Sequence, residues 1–348
     1  MANRKSLFEK KWNMGPEKIE DEIHRACGKN ETQKVTNLLI QRRKEINPKL
    51  LDAKGSLFEA ISHDNLLIVE GLLKIGCDPN VTTSDRQPAL FIAFVNGNMC
   101  IVRSLLHYGA YIGNTLLFAI EEDASNIVEK ILKFQVEIDK VDLEYKGYKG
   151  FNFRYKELPP LHLAINKRNL EIVKLLLKHK ANPNRTNIRG DTPLFIAVSR
   201  GYIEIVKELL NHGAAVDVPS GIDEIPFWRA LMARRFEIAK ILLDHGANID
   251  YRHSLGRTSL HDAASDGNLE NVEFLLEHNA NINAVDFYKD TPLHIATENS
   301  HTEVVKKLLI NDGNDIKIRN IEGNTALESA VASTNIKVLK MISFHDNN

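Results

Sequence analysis

One small residue, alanine, recurs along almost the whole chain, at Ala26, Ala60, Ala93, Ala119, Ala164, Ala197, Ala230, Ala263, Ala296 and Ala330. From Ala164 to Ala296 the interval is 33 residues four times running. An aliphatic pair usually falls 12 and 13 residues later, as at Leu72-Leu73, Leu105-Leu106, Leu176-Leu177, Leu209-Leu210, Leu242-Leu243, Leu275-Leu276 and Leu308-Leu309. A fixed period of this kind means that each unit is a supersecondary element burying its apolar face only against its neighbours. Such a stack offers a long surface rather than a pocket.

The clearest unit is DTPLFIAVSRGYIEIVKELLNHGAAVDV, starting at Asp191. Thr192 before Pro193 reads as a helix start, with the proline where its missing N–H costs nothing. Leu194, Ile196 and Ala197 begin a short apolar helix that Gly201 breaks. Ile205, Val206, Leu209 and Leu210 then share one face of a second helix, and Gly213 ends it. Alanine at the recurrent position lets the two helices approach closely.

These residues resemble the ankyrin repeat. Its TPLHxA signature stands as Thr291-Pro292-Leu293-His294-Ile295-Ala296 and is approximated from Thr258 to Ala263 and from Pro159 to Ala164. The family's LLxxGAxxN segment has counterparts in LLKHKANPN, LLDHGANID and LLEHNANIN. The resemblance implies an all-α solenoid of about ten helix-turn-helix units with short β-hairpin fingers, covering residues 21–343. Residues 1–20 read as a polar segment and 344–348 as a tail. The end units depart from the pattern as capping repeats do, with Glu328 where histidine is usual. Two irregularities stand out. Only 26 residues separate Ala93 from Ala119, too few for a finger, and 45 separate Ala119 from Ala164, which leaves an extended finger at 140–157.

Composition narrows the function. A formal net charge of −1 gives no global case for nucleic acid or membrane binding. No run of about 18 apolar residues exists to span a bilayer. The N-terminus has no secretory h-region, and Cys27, Cys77 and Cys100 form neither a disulfide framework nor a paired zinc motif. A cytoplasmic protein is expected, with nuclear entry left open and a monomeric state assumed. No catalytic motif, cofactor fingerprint or metal-ligand spacing is found. His162, His261 and His294 share the TPLH position, while His179, His212, His245 and His278 share one near the end of the second helix, so structural roles are expected of all seven. Trp228 replaces the usual histidine of its unit and reads as a repacked core residue.

The expected function is therefore non-enzymatic: a scaffold or adaptor that holds another protein, with no small-molecule substrate. The resemblance places the partner on the concave side, built from finger tips and the ends of first helices. Transferred here, that register selects Ile188, Arg189, Phe287 and Tyr288 at tips and Arg200 at a helix end. The extended finger adds Tyr148, Phe151, Phe153 and Tyr155, interleaved with basic residues; aromatics and arginine dominate interface hot spots. Against these stand bland readings, in which finger packs on finger and the 140–157 aromatics cover neighbouring repeats. Three rival functions are a substrate-recruiting subunit of a ubiquitin ligase, a pathogen effector, and the cytoplasmic portion of a channel. The short-then-long pair of units loosely resembles transient-receptor-potential channels, and the residues after Ala330 are too few for a ligase-docking box.

Overall fold

The computed structural model describes residues 16–134, 136, 138, 139, 158–253, 255–311, 313–332, 339 and 341. Tyr148, Phe151, Phe153 and Tyr155 lie outside them. The described chain is helical and divides into two compact units, Met1–Asn182 and Pro183–Asn348.

Unit 1 contains α1 (Pro16–Gly28), α2 (Thr32–Gln41), α3 (Pro48–Lys54), α4 (Ser56–Ser62), α5 (Leu66–Ile75), α6 (Ala89–Asn96), α7 (Met99–His107), α8 (Ile112–Glu121), α9 (Ser125–Leu132), α10 (Pro160–Asn166) and α11 (Leu170–Lys178). Unit 2 contains α12 (Pro193–Arg200), α13 (Ile203–Asn211), α14 (Pro226–Met232), α15 (Phe236–Asp244), α16 (Ser259–Asp266), α17 (Leu269–Glu277), α18 (Pro292–Glu298), α19 (Thr302–Leu309) and α20 (Ala326–Ala332). The ten recurrent alanines each fall in the first helix of a repeat, and none is more than 1% exposed. A larger side chain there would hold the helix pair apart. The aliphatic face of each second helix is sealed in the same way: Ile205, Val206 and Leu209 in α13 are buried. At about 1.5–3 kcal/mol per buried side chain, this face carries much of each repeat's stability.

The fingers differ from the expected hairpins. Among the described residues the only strand-like pair is Thr82 with Pro88. Each finger of unit 2 is instead a five-residue turn. The first residue's N–H donates to the carbonyl four residues on, as in Asn187 to Asp191 (3.0 Å), Ser220 to Glu224 (2.8 Å), His253 to Arg257 (3.1 Å), Asp286 to Asp290 (3.0 Å) and Asn320 to Asn324 (2.9 Å). Arms this short cannot build a ladder. The fourth residue must turn left-handed, and it does so at Gly190, Asp223, Gly256, Lys289 and Gly323.

The short Ala93–Ala119 interval has a structural counterpart, while the extended finger expected at 140–157 lies outside the described residues. Four residues join α7 to α8, so that repeat has no finger. The first repeat carries α3 in place of a finger, which the sequence reading did not anticipate. Pro48 opens α3 at the position that tolerates proline best, and buried Glu20 accepts the Asn47 N–H at 2.7 Å.

Candidate protein-binding face

Polar side chains at fixed repeat positions join each finger to the next. The amide oxygen of Asn184 accepts the Ala215 N–H at 2.7 Å while its nitrogen donates to the Gly213 carbonyl at 3.1 Å. Asp217 and Asp250, one and two periods on, accept from Asn248 (3.0 Å) and Asn281 (2.9 Å). Asn283 accepts from Asp315 at 2.9 Å and donates to Gly313 at 2.7 Å. The same rung appears in unit 1, where Asn80 accepts from Tyr111 at 2.7 Å. These bonds satisfy backbone groups that no helix or ladder could.

Histidines lock the first helices in place. His261 Nδ1 accepts the Thr258 N–H at 3.1 Å, and its Nε2–H donates to the Asp290 carbonyl of the next finger at 3.1 Å. His294 repeats this with Thr291 (3.3 Å) and the Asn324 carbonyl (3.1 Å). Because a carbonyl can only accept, Nε2 carries the proton. Burial pushes His261 down to about 4 and His294 in the same direction, which keeps both rings neutral. His212, His245 and His278 instead donate Nδ1–H to carbonyls one turn back, at 2.9, 2.8 and 2.8 Å. The structural roles expected for these five histidines are the ones observed.

With the fingers fixed, their tips are presented together. Ile188 and Ile222 are each 70% exposed, Leu255 46%, Phe287 67%, Tyr288 54% and Ile321 64%. Five consecutive fingers thus each offer an apolar side chain to solvent. Neighbouring tips touch through their backbones: the Phe287 N–H donates to the Leu255 carbonyl at 3.3 Å, and the Ile321 N–H to the Tyr288 carbonyl at 2.8 Å. Gly221 lies so close to the Arg189 carbonyl oxygen that a Cβ there would collide with it. Gly256 has φ +71°, and a Cβ on it would come within 2.6 Å of the Phe287 ring. Phe287 therefore leans on the neighbouring finger while most of its ring faces solvent. Finger-to-finger packing and tip exposure coexist at this residue.

The sequence-selected residues separate accordingly. Phe287 and Tyr288 form one continuous tip surface with Leu255 and Ile321, and Ile188 and Arg189 begin the same row beside the 220–224 finger. Arg200 is exposed at the end of α12. Ile222 and Ile321 were missed, although they fall at finger-tip positions that the 33-residue spacing marks out. Arg235, in the turn between α14 and α15, donates to the Val198 carbonyl of α12 in the preceding repeat.

Trp228 departs from the core reading. It occupies the register of His261 and His294, but Ile225 stands where Thr258 and Thr291 provide a capping oxygen. Only partly buried, the indole reaches across to α16 and donates Nε1–H to Asp262 Oδ2 at 2.8 Å. Neighbouring first helices pack closely elsewhere in unit 2: α12 on α14, α16 on α18, and α18 on α20. Between α14 and α16 the bulky indole stands instead, and a cleft of about 260 Å³ opens there. Its lining includes Ile222, Glu224, Trp228, Tyr251, His253 and Asp262. His253 Nε2–H donates to Asp262 at 3.0 Å. Among the described residues no serine, threonine or cysteine hydrogen-bonds to this imidazole. Nor, among them, do three His, Cys, Asp or Glu side chains gather to hold a metal ion. No described helix is long and apolar enough to cross a membrane.

The family model for ankyrin repeats in three copies matches residues 57–142, 116–220 and 285–348, and the model for ankyrin repeats in many copies matches 260–309. Among solved structures, the ankyrin repeat domain of Bcl-3, described as a unique member of the IkappaB protein family, is 24% identical. It covers 66% of this chain and 97% of its own, with a TM-score of 0.57. The ankyrin repeat protein EF0377 is 29% identical over 53% of this chain and 96% of its own, with a TM-score of 0.47. Periodic alanines, paired helices and matching models agree: this chain belongs to the ankyrin-repeat family, whose repeats are protein–protein interaction modules.

Proposed function

We propose that this protein is a non-enzymatic scaffold or adaptor that grips a partner protein on the finger-and-first-helix face of unit 2. One observation carries the reading: Ile188, Ile222, Leu255, Phe287 and Ile321 keep large apolar side chains in solvent at successive fingers. Single exposed aliphatics are ordinary on a protein surface, but a contiguous row marks an interaction site. Aromatic tips such as Phe287 and Tyr288 suit the centre of an interface, with Arg189 and Arg200 supplying charge at one end. The free thiols of Cys27, Cys77 and Cys100 fit a reducing, cytoplasmic compartment.

Affinity purification with quantitative mass spectrometry tests the reading by comparing wild type with a Leu255→Ser, Phe287→Ala, Tyr288→Ala variant. A partner set present with wild type and depleted about tenfold or more with the variant is expected, each hot-spot truncation costing on the order of 2 kcal/mol. Full retention of every partner by a folded variant would remove the proposed face.

A further inference from the structure

We propose that the cleft between α14 and α16 receives an arginine side chain from the bound partner. The inference rests on the reading of unit 2 as a protein-binding face, and it names the chemistry that one position on that face selects.

Three observations point to this occupant. First, the cleft combines aromatic and acidic groups. Trp228 and Tyr251 supply ring faces, and Asp223, Glu224 and Asp262 supply carboxylates. A guanidinium is the one protein group that both stacks flat on an aromatic face and forks onto a carboxylate. Second, Asp262 retains acceptor capacity. Trp228 Nε1–H and His253 Nε2–H occupy two of its roughly four lone-pair sites. Those two donors also hold the carboxylate in a fixed orientation, so an incoming cation meets a preorganised anion. Third, the surroundings favour a positive ligand. The cleft lining holds three carboxylates and, among the described residues, no lysine or arginine; Arg229, next to Trp228 in the chain, sits 3.6 Å from Glu224 and is itself half in solvent.

Position supports the assignment as well. Ile222 belongs both to the apolar tip row and to the wall of the cleft. A partner segment lying along the tips would pass the cleft mouth and could lower one long side chain into it. An arginine stem fits the apolar part of the wall while its head reaches Asp262.

The test uses the full chain and small amides as probes. The sequence has two tryptophans, Trp12 and Trp228, so Trp12→Phe leaves one indole N–H resonance to follow by NMR. Titration with acetyl-arginine amide should shift that resonance saturably. Acetyl-lysine amide should bind several-fold more weakly, and acetyl-citrulline amide, which has nearly the shape without the charge, should leave it unmoved. Asp262→Asn should weaken the arginine probe roughly fivefold or more, the order expected for losing a partly buried charge partner. If Asp262→Asn fails to fold, Asp223→Asn at the exposed finger carries the same comparison with a smaller expected loss. No saturable shift, an equal shift with citrulline or lysine, or unchanged arginine affinity in a folded Asp262→Asn variant would each overturn the assignment. The Leu255→Ser, Phe287→Ala, Tyr288→Ala variant should bind the arginine probe like wild type while losing partners. Failure of the cleft and failure of the tip row are thereby distinguished.

Discussion

The two units have cores built in the same way and differ in their surfaces. In both, the recurrent alanines and the aliphatic face of the second helix are buried to the same degree. Unit 1 nevertheless loses one finger between α7 and α8 and replaces another with α3, and among its described residues the exposed large apolar side chains are scattered over Ile40, Leu67, Val95, Met99 and Tyr111, all on helices or beside them. Unit 2 keeps its fingers, and among the described residues six of its eight exposed large apolar side chains lie at their tips, which makes a row where the described part of unit 1 has isolated spots. A solenoid core tolerates irregular connections because each second helix is sealed by its neighbours regardless of the loop between them. A binding surface has no such tolerance, since a row forms only where consecutive fingers repeat in phase.

That contrast can be tested first through the cores, where the largest effects are expected. Leu242→Ala in unit 2 and Leu72→Ala in unit 1 each remove a fully buried leucine and should each cost about 2–5 kcal/mol in urea unfolding. A cost in unit 1 below half that in unit 2 would mean that the cores differ too.

Asn271 sharpens the comparison within unit 2. It holds the position of Ile205 and Ile238, is fully buried, and neither its amide oxygen nor its nitrogen has a hydrogen-bond partner. Asn271→Ile should raise stability by about 2 kcal/mol, by removing unsatisfied polar groups and adding apolar contact. An unchanged or lower urea midpoint would count against that account.

Acidification comes next. The unfolded chain takes up protons on histidine near pH 6.5, which folded His261 refuses until about pH 4. Its contribution is therefore complete above about pH 6.5 and is lost as pH falls towards 4, amounting to about 2 kcal/mol at pH 5. The raised carboxyls of Asp290 and Glu298 act in the opposite sense. The useful quantity is accordingly the difference between wild type and His261→Gln, from urea midpoints at pH 7.5 and 5. A difference that does not change with pH would refute the neutral-histidine lock.

The smallest effect belongs to a finger tip. Lys289 is left-handed at φ 60° where Gly190 and Gly256 hold the same turn. Lys289→Gly should stabilise unit 2 by about 0.5 kcal/mol, the relieved strain exceeding the added chain entropy. A loss of stability on calorimetry would show that the lysine contributes more than its backbone conformation costs.

Much of this molecule was legible from spacing. The alanine register located ten first helices, and the short Ala93–Ala119 interval announced the missing finger. Phe287 and Tyr288 stood out because two adjacent aromatics at a tip have no place in the core. Other features were not legible, because they depend on what faces a residue across the stack. Nothing local says that Trp228 will meet Asp262, 34 residues away and one repeat on, or that Arg235 will reach back to Val198. Helix α3 escaped notice because the alanine register does not mark it, leaving only its local start and stop signals, Asn47-Pro48 and Gly55.

The sequence by itself determined the repeat: a period of 33, a small residue where helices touch, and aliphatics where they are sealed. Those are nearest-neighbour requirements, and a one-dimensional string records them directly. Only the tertiary structure decided which exposed side chains stand in a row and where two first helices part to leave a cleft. Both depend on inter-repeat contacts, in which one bulky residue in a conserved-length frame shifts the spacing between helices without altering the period.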